Sequence, residues 1–142
     1  MTEALRRKAA IVGIGATAFS ANSGCSEQRL AAEAVLAALE DAGLGPDDVD
    51  GIVNSDFDAT NQIDVINTVG LRNIGSYAMI PHGGGSPCGT VAQAAMMVAS
   101  GASRCVVAYR SLNERSGHRY GSSEAIPTFP WVYGLHAPYG LI

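Results

Sequence analysis

Gly83-Gly84-Gly85-Ser86-Pro87-Cys88-Gly89-Thr90-Val91-Ala92-Gln93-Ala94-Ala95-Met96-Met97-Val98-Ala99-Ser100-Gly101 is the stretch on which the reading of this chain turns. Three glycines lead into a serine and a proline, then into alanines, methionines and valines, and another glycine closes the run. The pattern predicts a helix over 86–100, with Ser86 as N-cap, Pro87 at the first helical position and Gly101 as the stop. No charged residue occurs between Gly83 and Arg104. A helix that is apolar on every face is expected to be buried on every face, inside a layered structure. One sheet of a short chain cannot cover it alone.

Working outward, residues 74–80 and 104–109 read as strands on either side of that helix, the second rich in β-branched residues. Residues 62–69 carry Ile63, Ile66 and Val69 at helical spacing and end at Gly70. Residues 51–54 read as a strand after the polar turn 46–50. The longest helical pattern covers 26–42, where Leu30, Ala31, Ala34, Val35, Ala38 and Leu39 form one face. Ser26 is its N-cap and Gly43 its stop. Residues 9–14, a short apolar run ending near glycine, read as a buried strand. Strands alternating with helices define an α/β fold with crossover connections. From residue 110 onward Gly, Pro, Ser and aromatic residues dominate, so the chain divides into 1–109, a folded α/β unit, and 110–142, the start of a long loop region.

Composition narrows the function classes. The chain has 142 residues, 47% hydrophobic and only 15% charged, which suits a packed core and excludes a disordered segment. So little polar surface implies that some apolar surface is covered by another chain or domain. Net charge is -4 and pI about 5.2. The only basic run, Arg6-Arg7-Lys8, makes no stripe for a phosphate backbone, so no nucleic-acid partner is expected. The apolar stretch after it is too short for a signal peptide, and no stretch is long enough to span a membrane. Three cysteines, Cys25, Cys88 and Cys105, lie far apart without a C-x-x-C pair. They suggest neither a disulfide framework nor a metal site, and a reducing cytoplasm suits them.

Several residues invite chemical readings. Gly13-Ile14-Gly15-Ala16-Thr17-Ala18 matches the loose form of a dinucleotide fingerprint, but the turn residues 20–24 delay the helix that a pyrophosphate would need. It reads instead as a strand end and turn. At the start of the central helix, the glycines let another group approach the backbone, and free N–H groups there favour a developing thioester oxyanion. An ordinary glycine-rich lead into a core helix fits the composition equally. Cys88, in the first turn, is a candidate nucleophile because a helix N-terminus stabilises a thiolate; free cysteines also commonly just pack. His82 beside the glycines is a base or ligand candidate without a nearby partner in sequence. Cys105 reads as core, and Asp56, Asp58 and Asp64 as a solvated turn.

The order of these pieces resembles the thiolase superfamily. Ala9-Ala10-Ile11-Val12-Gly13-Ile14-Gly15-Ala16-Thr17 is similar to its first strand. Glu40-Asp41-Ala42-Gly43-Leu44 and Pro46-Asp47-Asp48-Val49-Asp50-Gly51 are similar to its first helix and the turn into the next strand. The glycine-rich approach to the Ala/Met helix, with Cys105-Val106-Val107-Ala108 after it, resembles the nucleophile-bearing helix and the following strand. Gly83-Gly84-Gly85-Ser86-Pro87-Cys88-Gly89-Thr90-Val91 and Tyr109-Arg110-Ser111-Leu112-Asn113-Glu114-Arg115-Ser116-Gly117 narrow the resemblance to the lipid-transfer-protein branch, related to sterol-carrier-protein thiolases, and within it to thiolase-like steroid side-chain aldolases.

The resemblance implies the N-terminal half of a thiolase-like layered fold, with a mixed sheet and a buried central helix. It implies an acyl-CoA substrate, no cofactor beyond the coenzyme A of that substrate, a homodimer, and an accessory subunit of the OB-fold/zinc-ribbon type. His82, Gly83, Gly84, Gly85 and Ser86 would shape the thioester pocket. Counting back from Gly101 by the family's spacing puts the nucleophile position at Gly84, one turn before Cys88. A missing nucleophile suits a retro-aldolase, which breaks a carbon–carbon bond without an acyl-enzyme. Two other readings stand beside it: an acyltransferase using Cys88, and a non-catalytic assembly domain. The catalytic His and the acid/base groups belong mainly to the family's second half, so the 142 residues alone are expected to be inactive.

Overall fold

Each helix starts and stops on chemistry visible along the chain. The Ser26 hydroxyl accepts from the Arg29 amide at 3.3 Å and opens α1 (Glu27–Ala42), which Gly43 ends in the left-handed conformation. The Asn61 side chain accepts from the Ile63 amide at 3.0 Å and opens α2 (Gln62–Val69), ended by Gly70. A third helix, α3 (Ser86–Ser100), ends at Gly101. The computed structural model describes residues 6–81 and 85–113. Its strands are β1 (Gly51–Ser55), β2 (Ser76–Ile80) and β3 (Val106–Ala108), with a 3₁₀ turn, Pro46–Asp48, leading into β1.

The three strands form one sheet in the order β2-β1-β3. Both ladders are parallel, with Gly51 opposite Ser76 and Val106, and Val53 opposite Ala78 and Ala108. No antiparallel member of a mixed sheet lies among the described residues. β1 is buried along its whole length because helices cover both of its faces. Ile52 joins Ala31, Val35, Leu39, Val65 and Val69 in the core beneath α1 and α2. Gly51, Val53 and Ser55 turn to α3. Gly89 lets that helix sit close to β2, since a Cβ there would lie 2.7 Å from Ile80 Cγ2.

Loop chemistry joins the start of the sheet. The Asp50 carboxylate accepts from the amides of Arg104 and Cys105, each at 2.9 Å, and so holds the beginning of β3 beside β1. The Ser76 and Ser103 hydroxyls also bond to each other across this end.

Two expectations need correction. Residues 9–14 do not form a buried strand. They run as an extended arm along α1, with Ile11, Val12 and Ile14 exposed. The reason lies in Gly13 and Gly15, which share one side of the extended chain. A Cβ at either would overlap α1 backbone atoms, of Ala38 for Gly13 and of Ala34 and Ala38 for Gly15. Asp41 Oδ2 takes the Ile14 amide at 2.8 Å, so a helix side chain supplies a bond that a ladder would otherwise make. Second, the N-cap of α3 is Gly85, and Ser86 is already helical. As expected of a single sheet, α3 is covered on one side: Met97 faces the sheet, while Val91 and Met96 are 47% and 54% exposed. The division at residue 110 cannot be followed far, because residues 114–142 lie outside the described part.

Candidate functional site

The chain passes from β1 through α2 to β2, then back through α3 to β3 on the other side of β1. α2 lies on the Ile52/Asn54 face, where Gln62 Nε2 donates to Asn54 Oδ1 at 2.7 Å. α3 lies on the opposite face, where the Ser55 and Ser86 hydroxyls share a 2.7 Å hydrogen bond. The order therefore reverses at β1, which makes the carboxyl ends of β1 and β3 a topological switch point. Open α/β sheets bind their ligands at such switch points.

α3 presents its N-terminus at this end of the sheet. Gly85, its N-cap, makes no side-chain capping bond, and Pro87 has no N–H to satisfy. Ser86 is buried and its hydroxyl is engaged with Ser55. Cys88 is a free thiol and exposed, so the structure does not tuck it among packing residues. Of the site residues read from the sequence, Gly85, Ser86 and Cys88 thus fall together at the start of α3. His82, Gly83 and Gly84 lie outside the described residues. Cys105 is half-buried against the core, and burial, aided by the nearby Asp50, pushes its thiol above the ordinary 9.0.

Sequence reading missed the polar clasp at the switch point itself. Asp58, expected in a solvated turn, has a fully buried side chain paired with Arg110, whose side chain is 27% exposed. Asp58 Oδ1 accepts from Arg110 Nε at 2.9 Å and from the Ser111 amide at 3.1 Å; Oδ2 accepts from the Ser55 amide at 2.9 Å. Tyr109, next to Arg110, is buried with its phenol accepting from Thr60 at 3.4 Å. Burial, partly offset by that bond and reinforced by Asp58 and Asp64, raises its pKa above the ordinary 10.0. Asn54 Nδ2, in the same carboxyl-end region, is buried without a hydrogen-bond partner among the described residues. No local pattern marks Asp58, because its partner lies 52 positions away.

Past Arg110 the chain forms a strap along α1. The Ser111 hydroxyl donates to the Glu27 carbonyl at 2.5 Å, and Asn113 Nδ2 donates to the Cys25 carbonyl at 2.8 Å. Strap, arm and α1 border an open groove of about 440 Å³ whose lining includes Phe19, Leu30, Ala34, Arg110, Ser111 and Leu112. Among the described residues no cluster of His, Cys, Asp and Glu could hold a metal ion, and no helix is long and apolar enough to cross a membrane.

This architecture has counterparts among solved and curated proteins. No family model matches the chain. A priming β-ketosynthase from the R1128 polyketide pathway superposes with a TM-score of 0.51, at 28% identity, over 66% of this chain and 30% of the ketosynthase. An aldolase structure described as Ltp2-ChsH2(DUF35) superposes with a TM-score of 0.80, at 47% identity, over 92% of this chain and 35% of that one. A crossover-connected sheet with a small-residue helix opening at its carboxyl end thus places the chain in the thiolase-like class. Two curated proteins narrow this. A steroid side-chain-cleaving aldolase of Thermomonospora curvata is 55% identical over 92% of this chain. A 17-hydroxy-3-oxo-4-pregnene-20-carboxyl-CoA lyase of Mycobacterium tuberculosis is 56% identical over 94% of it. The chain is a homologue of these thiolase-like steroid side-chain aldolases, matching their N-terminal part. It spans 36% and 38% of the length of these two relatives.

Proposed function

We propose that this chain is the N-terminal part of a retro-aldolase that cleaves a carbon–carbon bond in the side chain of a steroid or lipid acyl-CoA. The observation that carries the reading is identity above one half, along more than nine-tenths of the chain, to an aldolase and a CoA lyase. In the proposed reaction the β-hydroxyl of the CoA ester loses its proton. The bond between its carbon and the thioester α-carbon breaks, and the electron pair passes to the α-carbon. A ketone leaves, and protonation of the enolate gives a shorter acyl-CoA. The developing charge lies on the thioester oxygen, and the N-terminus of α3 is the part of this chain suited to receive it. His82, Gly83, Gly84, Gly85 and Ser86 are assigned to the thioester pocket.

The same proposal covers the assembly. A homodimer is supported by the exposed Tyr77 and Met79 of β2, an edge strand among the described residues. The double name of the similar Ltp2-ChsH2(DUF35) aldolase supports an accessory subunit, assigned here to the OB-fold/zinc-ribbon type. The division of the chain into 1–109 and 110–142 belongs to the same proposal. Coenzyme A enters only as part of the substrate. A cytoplasmic location agrees with the three free cysteines. Incubating the complete assembly with a β-hydroxy steroid side-chain CoA ester tests the reading by mass spectrometry. Stoichiometric ketone and shorter acyl-CoA are expected; an untouched ester, or transfer of the acyl group to a thiol, would overturn it. The exposure of Cys88 in the first turn of α3 keeps acyl transfer as the second reading.

A further inference from the structure

We infer that Asp58 is a positioning residue for the proposed reaction, setting the first turn of α3 through Ser55 and Ser86. The inference rests on the acyl-CoA reading of the site above.

The argument begins where the sheet ends. Between β1 and β3, the Tyr109 amide donates to the Val53 carbonyl at 3.1 Å. One step further on, the Asp58 carboxylate takes over. It receives the Ser55 amide from the β1 side, and the Arg110 guanidinium and Ser111 amide from the β3 side. A buried carboxylate is costly unless its lone pairs are used, and three donors from two chain segments use them. Charge-assisted bonds of this kind resist displacement more than ordinary ladder bonds.

The carboxylate also closes a tight turn. The Asp58 amide donates back to the Ser55 carbonyl at 3.1 Å, and the Phe57 amide donates to Ser55 Oγ at 3.2 Å. Ser55 is therefore held by its amide, its carbonyl and its hydroxyl, and that hydroxyl is also what meets Ser86. Ser86 is the first residue of α3, two positions before Cys88. The bonded path from Arg110 through Asp58 and Ser55 to Ser86 is continuous, and Ser55, Ser86 and the Asp58 side chain are all buried. Asp58 touches neither Ser86 nor the exposed opening of α3 in this path. Its role there is to hold what holds the helix. Displacing catalytic groups by about 1 Å costs on the order of a hundredfold in rate, so a residue two bonds removed can govern turnover.

The test uses the active assembly that contains this chain, with Asp58→Asn, Ser55→Ala and the double variant. Asp58→Asn keeps the side chain's shape and removes its charge; Ser55→Ala keeps the fold's backbone and removes the hydroxyl link. Turnover of a steroid side-chain CoA ester, measured per folded site well below each melting midpoint, is expected to fall about 10- to 100-fold in both single variants. KM should stay within about threefold, and the double variant should be no slower than the slower single one. Hydrogen exchange supplies a readout that needs no substrate. Amides 90–92 of α3 should exchange faster in Asp58→Asn, while amides 96–99 keep their parent rates. Turnover within about twofold of the parent despite a lowered midpoint, losses that multiply in the double variant, or uniform exchange along α3 would each overturn the inference. A parent assembly that cleaves no CoA ester would instead sink the proposed function, leaving the exchange pattern to decide the Asp58 linkage alone.

Discussion

Single side chains at both ends of the sheet carry more than their local sequence reveals. Asp50 sits in a turn that reads as polar surface, yet it ties β3 to β1 through two amides. Asp50→Ala should destabilise the fold by about 1–2 kcal/mol, measured by urea unfolding, because both amides lose a charged acceptor. Tyr109 gives a pH signature. Its folded pKa lies above the ordinary 10.0, so the folded state holds the phenolic proton more tightly than the unfolded chain does. Its contribution is complete below about pH 10 and is lost as pH rises through the folded value. Tyr109→Phe should flatten the decline of stability above about pH 10; an unchanged alkaline slope in chemical denaturation would remove Tyr109 as its source. Cys88 separates two chemistries. Cys88→Ala in the complete assembly should leave carbon–carbon cleavage within about tenfold, about 1.4 kcal/mol in the barrier. A loss of several orders of magnitude, with an acyl-cysteine trapped in the parent, would establish acyl transfer instead. The start of α3 was legible to within one residue because a helix start announces itself locally. Asp58 was not, since what buries it is a strand end brought alongside only by folding.

Helices were legible because their signals are local. Ser26, Gly43, Gly70 and Gly101 are caps or stops whose chemistry acts within a turn. The central strands were legible as short apolar runs, though the ladders are shorter than the apolar pattern at β2 and β3. The arm before α1 was misread because an apolar run with glycines suits a buried strand and a segment pressed on a helix equally well. The decisive fact is that Gly13 and Gly15 meet α1 backbone, which depends on Ala34 and Ala38 being small on the facing helix. A β-branched residue there has no room. Gly15→Val should push the arm from α1, break the Ile14 to Asp41 bond, and cost about 1–3 kcal/mol. Faster exchange of the Ile14 amide would report the displacement directly. A Gly15→Val protein as stable as the parent, with that amide unchanged, would show that the arm does not need the close approach.

At the scale of the whole molecule, the layered class was legible because low charge and an all-apolar helix demand cover, whereas the source of that cover is not encoded in any one element. The described residues bury Met97 against the sheet and leave Val91 and Met96 exposed, alongside exposed Tyr77 and Met79 on β2. Apolar surface so distributed on one helix and one edge strand favours association over a lone monomer. Sedimentation of the 142-residue chain at micromolar concentration should therefore show a dimer or larger species; a clean, folded monomer would contradict it. Catalysis requires more than association. The chain spans little more than a third of its curated relatives, and the resemblance assigns the acid/base groups of the reaction mainly to the second half. In the proposed reaction the α3 N-terminus would lower the energy of the enolate, but removing a proton from the β-hydroxyl and returning one to the α-carbon needs groups poised for transfer. The isolated chain should then show no carbon–carbon cleavage above background in a discontinuous assay of ketone release. Adding the remainder of the protein as a separate polypeptide, with its accessory subunit, should restore it. Turnover by the 142 residues alone would mean that the necessary acid and base lie within this chain, and the division of labour proposed here would be wrong.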